Sequence, residues 1–211
     1  MINPEMVAAI ILAAGRSNRM GRSKPLLPYG GVAGQTFISR LIETLKGSSV
    51  DEILVVGRPG DAPLREEVAR CGASFIENPR AEQGQLSSLL AALADLQARH
   101  GEQLVGVVVM PADAPIISSI VVNRLLDRAA VSPAQILRAT HAGQHGHPVI
   151  FRRATFGDLH AADPAVGARA VVRADPSRVE DVEMGDPGVT IDIDTPEDYR
   201  RHFGVSPPAS R

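Results

Sequence analysis

Residues 7–28 read VAAIILAAGRSNRMGRSKPLLP, and they join a short apolar run to a loop rich in cations. The apolar run, Val7–Leu12, predicts a buried β-strand. The loop behind it holds Gly15 and four cations, Arg16, Arg19, Arg22 and Lys24. In doubly wound folds the loop at the carboxyl end of the first strand binds nucleotides, because small residues let backbone amides approach phosphate oxygens while cations neutralise them. This stretch therefore predicts a nucleotide-phosphate loop at the edge of an α/β sheet.

The spacing of the loop separates it from two well-known phosphate-binding loops. A P-loop has four residues between its glycines and a lysine directly after the second. Here five residues separate Gly15 from Gly21, and Lys24 follows three positions later. The dinucleotide fingerprint Gly-x-Gly-x-x-Gly is absent too, which counts against a nicotinamide-dependent oxidoreductase. A solvated basic loop that binds nothing is the weaker alternative, because the four cations lie between a buried strand and the apolar anchor Pro25–Pro28.

The rest of the chain alternates short β-branched runs with longer amphipathic ones, which is typical of α/β proteins with parallel strands. We predict further strands at residues 52–57, 73–76, 104–110, 135–140, 148–152, 178–184 and 189–193, with a Gly- and His-rich loop between the fifth and sixth of the eight strands in all. Helices are predicted at residues 36–46, 61–72, 86–100 and 118–130, with two short ones between 154 and 173 and a last one that Thr195 caps and Gly204 ends. Residues 1–204 are expected to form one domain and 205–211 a frayed tail.

The composition counts against several classes of protein. The 211 residues include 22 Lys and Arg against 24 Asp and Glu, aromatics make up 3%, and Trp is absent, so a nucleic-acid partner is not expected. Cys71 is the single cysteine, which rules out an intrachain disulfide and a cysteine-based zinc cage. We expect it to be a packed small residue. The apolar run 6–14 is too short to span a bilayer and nothing basic precedes it, so we expect no membrane partner and a cytoplasmic enzyme.

Several motifs together resemble the MobA-like nucleotidyltransferases, in the branch that includes molybdenum cofactor cytidylyltransferase. The first loop resembles their signature, Leu-Ala-Ala/Gly-Gly followed by Arg-Met-Gly and Lys. Three later segments agree in order: residues 77–89, the Gly-His-Pro-Val at 146–149, and the closing motif DIDTPED at 192–198. The resemblance covers residues 7–199. It implies a three-layer α/β sandwich with a mostly parallel, Rossmann-like sheet.

The resemblance also implies roles for individual residues. The expected nucleotide-binding residues are Leu12, Ala13, Ala14, Gly15, Arg16, Lys24, Asn78, Gly84 and Ser87. Arg19, Lys24 and Asp113 are expected to be catalytic, and His147 and Pro148 to contact the second substrate. From the residues alone, Asn78 and Ser87 could equally form a turn and hydrogen-bond a helix N-terminus.

Asp113 is the expected ligand of a magnesium ion, for which manganese could substitute. It follows the predicted strand 104–110, and a carboxylate there can hold the metal against triphosphate oxygens. The family's Gly-Asp-Gln/Met-Pro is Ala112-Asp113-Ala114-Pro115 here. We expect Asp192 and Asp194 to point to opposite faces of the last strand, so that at most one joins Asp113. Asp192 is favoured as a metal or substrate contact, and Asp194 as a structural residue at the next helix start.

Three histidines, His141, His145 and His147, lie within seven residues and raise the alternative of a transition-metal site. Gly143 and Gly146 break any helix that would align them, and no thiol completes a ligand set. His147 resembles the family's Gly-His-Pro histidine on the acceptor side. His141 and His145 are expected to be solvent-facing loop residues.

The resemblance implies transfer of a nucleotide, CMP from CTP, to a phosphorylated acceptor, the molybdenum cofactor, with release of pyrophosphate. Ala14 favours CTP, since the guanylyl branch usually has Gly at this position. A molybdoenzyme or chaperone is a further expected partner. Three alternatives stay open: a transferase acting on a sugar phosphate or another small phosphate, a nucleotide-binding accessory protein that inserts a cofactor without catalysis, and an oxidoreductase.

Overall fold

The computed structural model describes residues 5–30 and 34–208, and seven strands in them form one sheet. The strands are β1 (Met6–Leu12), β2 (Glu52–Gly57), β3 (Ser74–Glu77), β4 (Leu104–Pro111), β5 (Ile136–His141), β6 (Gln144–Arg152) and β7 (Val179–Glu183). Their spatial order is β3-β2-β1-β4-β6-β5-β7. Strand β6 is antiparallel to both neighbours, and the other four pairs are parallel. The predicted mostly parallel sheet is confirmed.

Helices cover both faces of this sheet. They are α1 (Phe37–Lys46), α2 (Ala62–Arg70), α3 (Gln85–His100), α4 (Ser119–Val131), α5 (Phe156–Ala161), α6 (Arg169–Ala174) and α7 (Pro196–Phe203). Apolar side chains of α1, α2 and α4 pack on one face of the sheet and those of α3, α5 and α6 on the other. In β1, Ala9 and Ile11 join the first layer while Ala8 and Ile10 join the second, as expected where successive side chains point to opposite faces. The three-layer sandwich is confirmed.

Helix α7 begins and ends as its sequence predicts. The Thr195 side chain accepts a hydrogen bond from the Asp198 amide, the Asp198 carboxylate accepts one from the Thr195 amide, and Pro196 occupies the first turn. Gly204 ends the helix in the left-handed conformation, with a φ of 70°. Tyr199 on this helix is fully buried beside Phe37, so α7 packs against the start of α1.

The carboxyl ends of β1, β2, β3 and β4 lie at the same edge of the sheet because these strands run parallel. Four polar or glycine-containing segments follow them there: the loop after Leu12, Arg58, Asn78 and Asp113. Strands β2 and β4 flank β1 on opposite sides, so the connections after β1 diverge. Ligands of open α/β sheets bind at such a point.

Two predicted elements near the carboxyl terminus are wrong. Residues 144–147 belong to β6, not to a loop, because a tight turn at Ala142 and Gly143 pairs His141 directly with Gln144. Residues 189–193 do not form a strand. The short 3₁₀ helix Pro187–Thr190 occupies the start of this segment, and its Val189 carbonyl packs against β6.

Gly146 makes that packing possible. A Cβ at this position would lie 1.9 Å from the Val189 carbonyl oxygen, well inside van der Waals contact. Only glycine lets the two backbones approach so closely. The contact fixes the path of the chain that leads to Asp192 and Asp194.

The ends of the chain extend the described domain only slightly. Residues 205–208 carry no helix or strand, and the prediction of a tail from 205 to 211 lies partly outside the described residues, as does the predicted start of the domain at residue 1. None of the helices described in residues 5–30 and 34–208 has the length and apolar character needed to cross a bilayer.

Candidate active site at the carboxyl edge of the sheet

The loop after β1 is held in shape by one buried side chain and one turn. The amides of Met20 and Gly21 donate to the Ser17 carbonyl, which curls the loop back on itself. Met20 is 5% exposed and packs with Leu27 and Ile193. The Ser17 hydroxyl accepts a hydrogen bond from the Lys24 amide at 3.1 Å. These contacts leave Gly15 and Arg16 exposed at the edge of the sheet while fixing the position of Lys24.

Lys24 bridges two carboxylates from distant parts of the chain. Its Nζ lies 2.7 Å from Asp113 Oδ2 and 2.7 Å from Asp194 Oδ1. Burial alone would lower the pKa of the ammonium, but Asp113 and Asp194 outweigh that effect and raise the pKa above its usual value. The lysine is therefore fully charged at neutral pH. Arg19 adds a second cation, with Nη1 2.9 Å from Asp194 Oδ2.

Asp113 and Asp194 lie close together because a backbone hydrogen bond links their two segments. The Ile193 amide donates to the Asp113 carbonyl at 2.7 Å, and the Ile193 side chain is fully buried. The two aspartates Asp192 and Asp194 do line different cavities, but the reason predicted for their separation, opposite faces of a strand, is wrong. The segment is not a strand, and residues two apart on an extended chain share a face in any case, because side chains alternate with a period of two. Asp194 also does not serve the start of α7, since its carboxylate is bound to Lys24 and Arg19.

A cleft of about 420 Å³ opens above this cluster. Nine of the predicted site residues line it: Leu12, Ala13, Ala14, Gly15, Arg16, Arg19, Lys24, Gly84 and Asp113. Arg22, the fourth cation of the loop, does not line it, and its guanidinium binds the Pro208 carbonyl instead. The cleft therefore combines a strip of backbone and small side chains with cations at one end.

Two predicted nucleotide contacts, Asn78 and Ser87, do not line the cleft. Asn78 is 1% exposed, and its side-chain amide donates to the hydroxyls of Ser87 and Ser88 at 2.8 and 3.0 Å. Its side-chain oxygen accepts from the Arg80 amide at 2.9 Å. These hydrogen bonds occupy both the nitrogen and the oxygen of the Asn78 amide, so its side chain holds the segment 80–88 in position. Gly84 and Ser88 of that segment line the cleft, and Asn78 does not.

A second and larger cavity, about 960 Å³, adjoins the cleft, and we call it the chamber. Leu12, Gly84 and Gln85 line both cavities and so form their shared wall. His145, His147, Val149 and Phe151 of β6 line the chamber, whereas Pro148 lines neither cavity and is buried. Alternation along the strand explains the difference, since Pro148 lies on the opposite face of the sheet. The predicted acceptor-side position of His147 fits the chamber, and that of Pro148 does not.

Asp192 and His147 face the chamber and have perturbed pKa values. Partial burial, followed by the charges of Asp113 and Asp194, raises the pKa of Asp192 to about 6, although the residue is exposed at the chamber. Burial lowers the pKa of His147 to about 4, so the imidazole is neutral at pH 7. Its Nδ1 is buried without a hydrogen-bond partner in the described residues.

The other two histidines pair with different carboxylates. His141 Nδ1 lies 3.3 Å from Glu183, and His145 Nε2 lies 3.2 Å from Asp181. Both lie on strands, so the predicted loop position is wrong, whereas the His145 side chain is 54% exposed, as expected of a solvent-facing residue, and also lines the chamber. The three imidazoles do not converge on one point.

Sequence reasoning missed several residues that line these cavities, among them Arg58, Gln85 and Ser88. Arg58 lines the cleft, and its Nε is buried with no hydrogen-bond partner in the described part of the chain. It directly follows β2, so the rule that predicted a site after β1 could have found it. Gln85 and Ser88 also line the cleft, and their place in the motif at 77–89 was available as a signal.

The carboxylates suit a hard divalent cation. No group of three or more His, Cys, Asp or Glu side chains in the described residues is arranged to hold a metal. Mg²⁺ does not need one, because it keeps several waters and is held by one or two carboxylates together with substrate phosphates. Asp113 and Asp194 already share one cationic group, Lys24 Nζ, so their oxygens converge. Their position fits such an ion.

A family model for the MobA-like NTP transferase domain matches residues 9–181. The chain belongs to this family. The MobA-like match begins within β1, spans β2 to β6 and ends within β7, and it includes the cation loop and Asp113. Asp192 and Asp194 lie beyond it. The protein is therefore an NTP transferase, that is, a nucleotidyltransferase.

Among relatives of this MobA-like chain are two bacterial proteins of similar length. The Purine catabolism protein PucB of Bacillus subtilis is 28% identical over 211 residues, covering 94% of this chain and 96% of PucB. The molybdenum cofactor cytidylyltransferase of Escherichia coli is 27% identical over 198 residues, covering 92% and 93%. The two identities are nearly equal, so they do not separate one specificity from the other.

Solved structures agree with the fold. Rv0371c from Mycobacterium tuberculosis has a TM-score of 0.77 and is 28% identical, and the match covers 97% of this chain and all of that one. A structure of the same protein in complex with manganese has a TM-score of 0.70 and is 25% identical, with coverage of 96% and 100%.

Proposed function

We propose that this protein transfers CMP from CTP to a phosphorylated small molecule, the molybdenum cofactor being the favoured acceptor, and releases pyrophosphate. The observation that carries the proposal is the position of Lys24, whose ammonium joins Asp113 and Asp194 at the end of a cleft lined by the small residues of the β1 loop. A second cavity adjoins this cleft, which provides space for a separate acceptor.

The chemistry needs positioning and charge neutralisation more than a protein nucleophile. An oxygen of the acceptor phosphate attacks the α-phosphorus of CTP, and the bond to the oxygen bridging the α- and β-phosphates breaks. Arg16, Arg19 and Lys24 line the cleft and would stabilise the negative charge on the departing pyrophosphate. Because its imidazole is neutral at pH 7, His147 would not neutralise phosphate charge in this step. We assign it to contact with the acceptor.

A divalent cation, Mg²⁺ with Mn²⁺ as a substitute, would be held by Asp113 together with Asp194. When bound, it would neutralise phosphate oxygens of the donor. The manganese complex of Rv0371c supports divalent-metal binding in a relative of this fold. Asp192, our favoured second ligand from the sequence, faces the chamber and has a raised pKa, so we assign it to the acceptor side of the same cluster.

Part of the chamber lining supports an acceptor that carries a flat ring system, as the molybdenum cofactor does. Its apolar side chains include Leu86, Leu89, Val149, Phe151, Val172 and Val179. Such side chains can pack against a ring, while polar side chains of the same chamber, among them Gln85, His145 and Thr190, can bind hydrogen-bonding groups of the acceptor. Ala14, 5% exposed in the wall of the cleft, supports CTP as the donor.

Pyrophosphate release with a panel of acceptors tests this proposal. We expect release from CTP with the molybdenum cofactor and not with sugar phosphates. Release with a sugar phosphate alone would favour the sugar-phosphate transferase. Tight CTP binding with no release for any acceptor would favour a non-catalytic accessory protein that passes the cofactor to a molybdoenzyme or chaperone. A nicotinamide-dependent absorbance change would favour the oxidoreductase. A cytoplasmic location, with no nucleic-acid or membrane partner, remains part of the proposal.

A further inference from the structure

The chamber contains three arginines, and they are not equivalent. Arg138 is neutralised, because its guanidinium makes two hydrogen bonds to Asp181, at 2.8 and 3.1 Å. Arg169 and Arg173 also line the chamber, and within the described residues neither forms an ion pair with a carboxylate. The chamber therefore holds two cations whose charge is available to a ligand.

Of these two, Arg169 is the first residue of α6, and it lines the chamber together with Asp192 and His147. Its charge adds to the larger effect of burial in lowering the pKa of His147. Arg173 lies one helical turn further along α6 and is not among the groups that shift the pKa of His147. Arg169 thus belongs to the wall of the chamber that Asp192 and His147 also line, and it does not line the cleft.

The carboxylates beside the chamber would repel an incoming phosphate unless a cation offset their charge. Asp113 and Asp194 both bind Lys24 Nζ, and Asp192, two residues before Asp194, lines the chamber beside them. Lys24 and Arg19 compensate Asp194, and Lys24 also compensates Asp113, whereas Asp192 has no salt bridge in the described residues. An acceptor phosphate that approaches the α-phosphorus from the chamber would meet the uncompensated charge of Asp192. Like charges at short range disfavour such an approach unless a cation offsets them.

We propose that Arg169 binds the phosphate of the acceptor and directs it toward the cleft, an inference that rests on the proposed nucleotidyl transfer. The apolar lining of the chamber would hold the body of the acceptor while the guanidinium holds its phosphate, with the planar fork that suits phosphate oxygens. The cations of the β1 loop then serve the donor, and Arg169 serves the acceptor. The substrate class is a phosphate monoester with an apolar or heterocyclic body.

A binding experiment tests this role without requiring turnover. The full chain is first saturated with Mg²⁺ and a CTP analogue in which methylene replaces the oxygen bridging the α- and β-phosphates, so that the cleft is filled. It is then titrated with 4-methylumbelliferyl phosphate and, separately, with 4-methylumbelliferone, which has the same ring system without the phosphate. The variants are Arg169→Ala, Arg169→Lys and, as the matched control from the same helix, Arg173→Ala.

We expect Arg169→Ala to raise the Kd of the phosphate ester about tenfold or more and to leave the Kd of the neutral ring and of the CTP analogue unchanged. Arg169→Lys should bind the phosphate ester more tightly than Arg169→Ala but less tightly than the wild type. Arg173→Ala should raise the Kd of the ester less than Arg169→Ala does. Absence of ester binding to the wild type, an equal loss for both fluorophores, or an equal loss in both alanine variants would overturn the proposal.

The transfer reaction separates this inference from the proposed function. If Arg169→Ala transfers CMP with an unchanged KM for the acceptor, the role of Arg169 is wrong and the proposed function stands. If the ester binds through Arg169 but no acceptor ever receives CMP, the proposed function is wrong and the phosphate site stands.

Discussion

Lys24 and Asp194 are 170 positions apart in the chain, yet the lysine Nζ lies 2.7 Å from a carboxylate oxygen of Asp194. The contact joins the loop after the first strand to the segment before the last helix. The same ammonium binds Asp113, which follows β4. Three parts of the chain therefore supply one compact group of charges.

The two carboxylates bound to Lys24 should be needed for transfer. We expect Asp113→Asn and Asp194→Asn each to lower kcat by orders of magnitude with little change in thermal stability, and full removal of divalent cations by EDTA to stop the wild type. The matched control is Asp198→Ala, which breaks the capping box of α7 and should cost about 1 kcal/mol of stability while leaving kcat near the wild-type value. Wild-type kcat in either asparagine variant would remove that residue from the mechanism.

Lys24 should discriminate a nucleoside triphosphate from a monophosphate. Lys24→Ala should weaken CTP binding far more than CMP binding, because the β- and γ-phosphates carry the charge that the ammonium meets. Charge-assisted contacts of this kind contribute about 1.5 to 3 kcal/mol. Calorimetric titration of both nucleotides checks the prediction, with Lys46→Ala on the far end of α1 as a control for loss of a surface cation. Equal losses for CTP and CMP would contradict the assignment of Lys24 to the pyrophosphate end.

Ala14 should contribute to the choice of base. Ala14 lies in the wall of the cleft. If the base of the donor binds beside it, as we propose, its methyl group would take up space that a purine needs, and glycine would leave that space open. We therefore expect the wild type to prefer CTP over GTP and Ala14→Gly to narrow the difference without abolishing CTP use. One methyl contact contributes about 1 to 3 kcal/mol of discrimination. Competition of the two nucleotides for one acceptor measures it, and a GTP preference in the wild type would contradict the cytidylyl assignment.

His147 should make the folded state sensitive to acid. Burial holds its pKa at about 4, below the usual value near 6.5, so the unfolded chain binds a proton that the folded chain does not over this interval. The contribution to stability is complete above about pH 6.5 and declines as the pH falls toward 4. We expect the free energy of unfolding, measured with urea, to fall between pH 6.5 and 4 by on the order of 1 to 3 kcal/mol less in His147→Gln than in the wild type.

The control for that experiment is His160→Gln, an exposed histidine on α5. It should follow the wild-type curve. Identical pH dependence in His147→Gln and in the wild type would show that His147 titrates normally in the folded protein.

Local sequence signals were sufficient for most of the sheet and for the first loop. The apolar runs of β1, β2 and β4 are buried on both faces, so their composition alone marks them. The α7 boundaries follow from Thr195, Pro196, Asp198 and Gly204, which act within a few residues of one another. The cation loop follows a strand, and the edge rule for parallel sheets then places it at the site.

Long-range packing decided what the sequence did not reveal. The segment 187–194 does not form a strand. Its backbone packs at Val189 against Gly146 of β6, a contact between residues more than forty positions apart. The convergence of Asp113 with Asp194 depends on the hydrogen bond between Ile193 and the Asp113 carbonyl. Asn78 is directed inward by Ser87 and Ser88, and motif position alone does not distinguish a supporting amide from one that touches a ligand. Arg169 lies in a segment with no recognisable motif.

Mass spectrometry of the acceptor after incubation with CTP and Mg²⁺ tests the central claim most directly. The account predicts that the molybdenum cofactor gains the mass of one CMP unit while one pyrophosphate is released, and that neither product forms with Asp113→Asn. An acceptor that keeps its mass while CTP remains intact, in a wild-type protein shown by titration to bind CTP, would contradict the account.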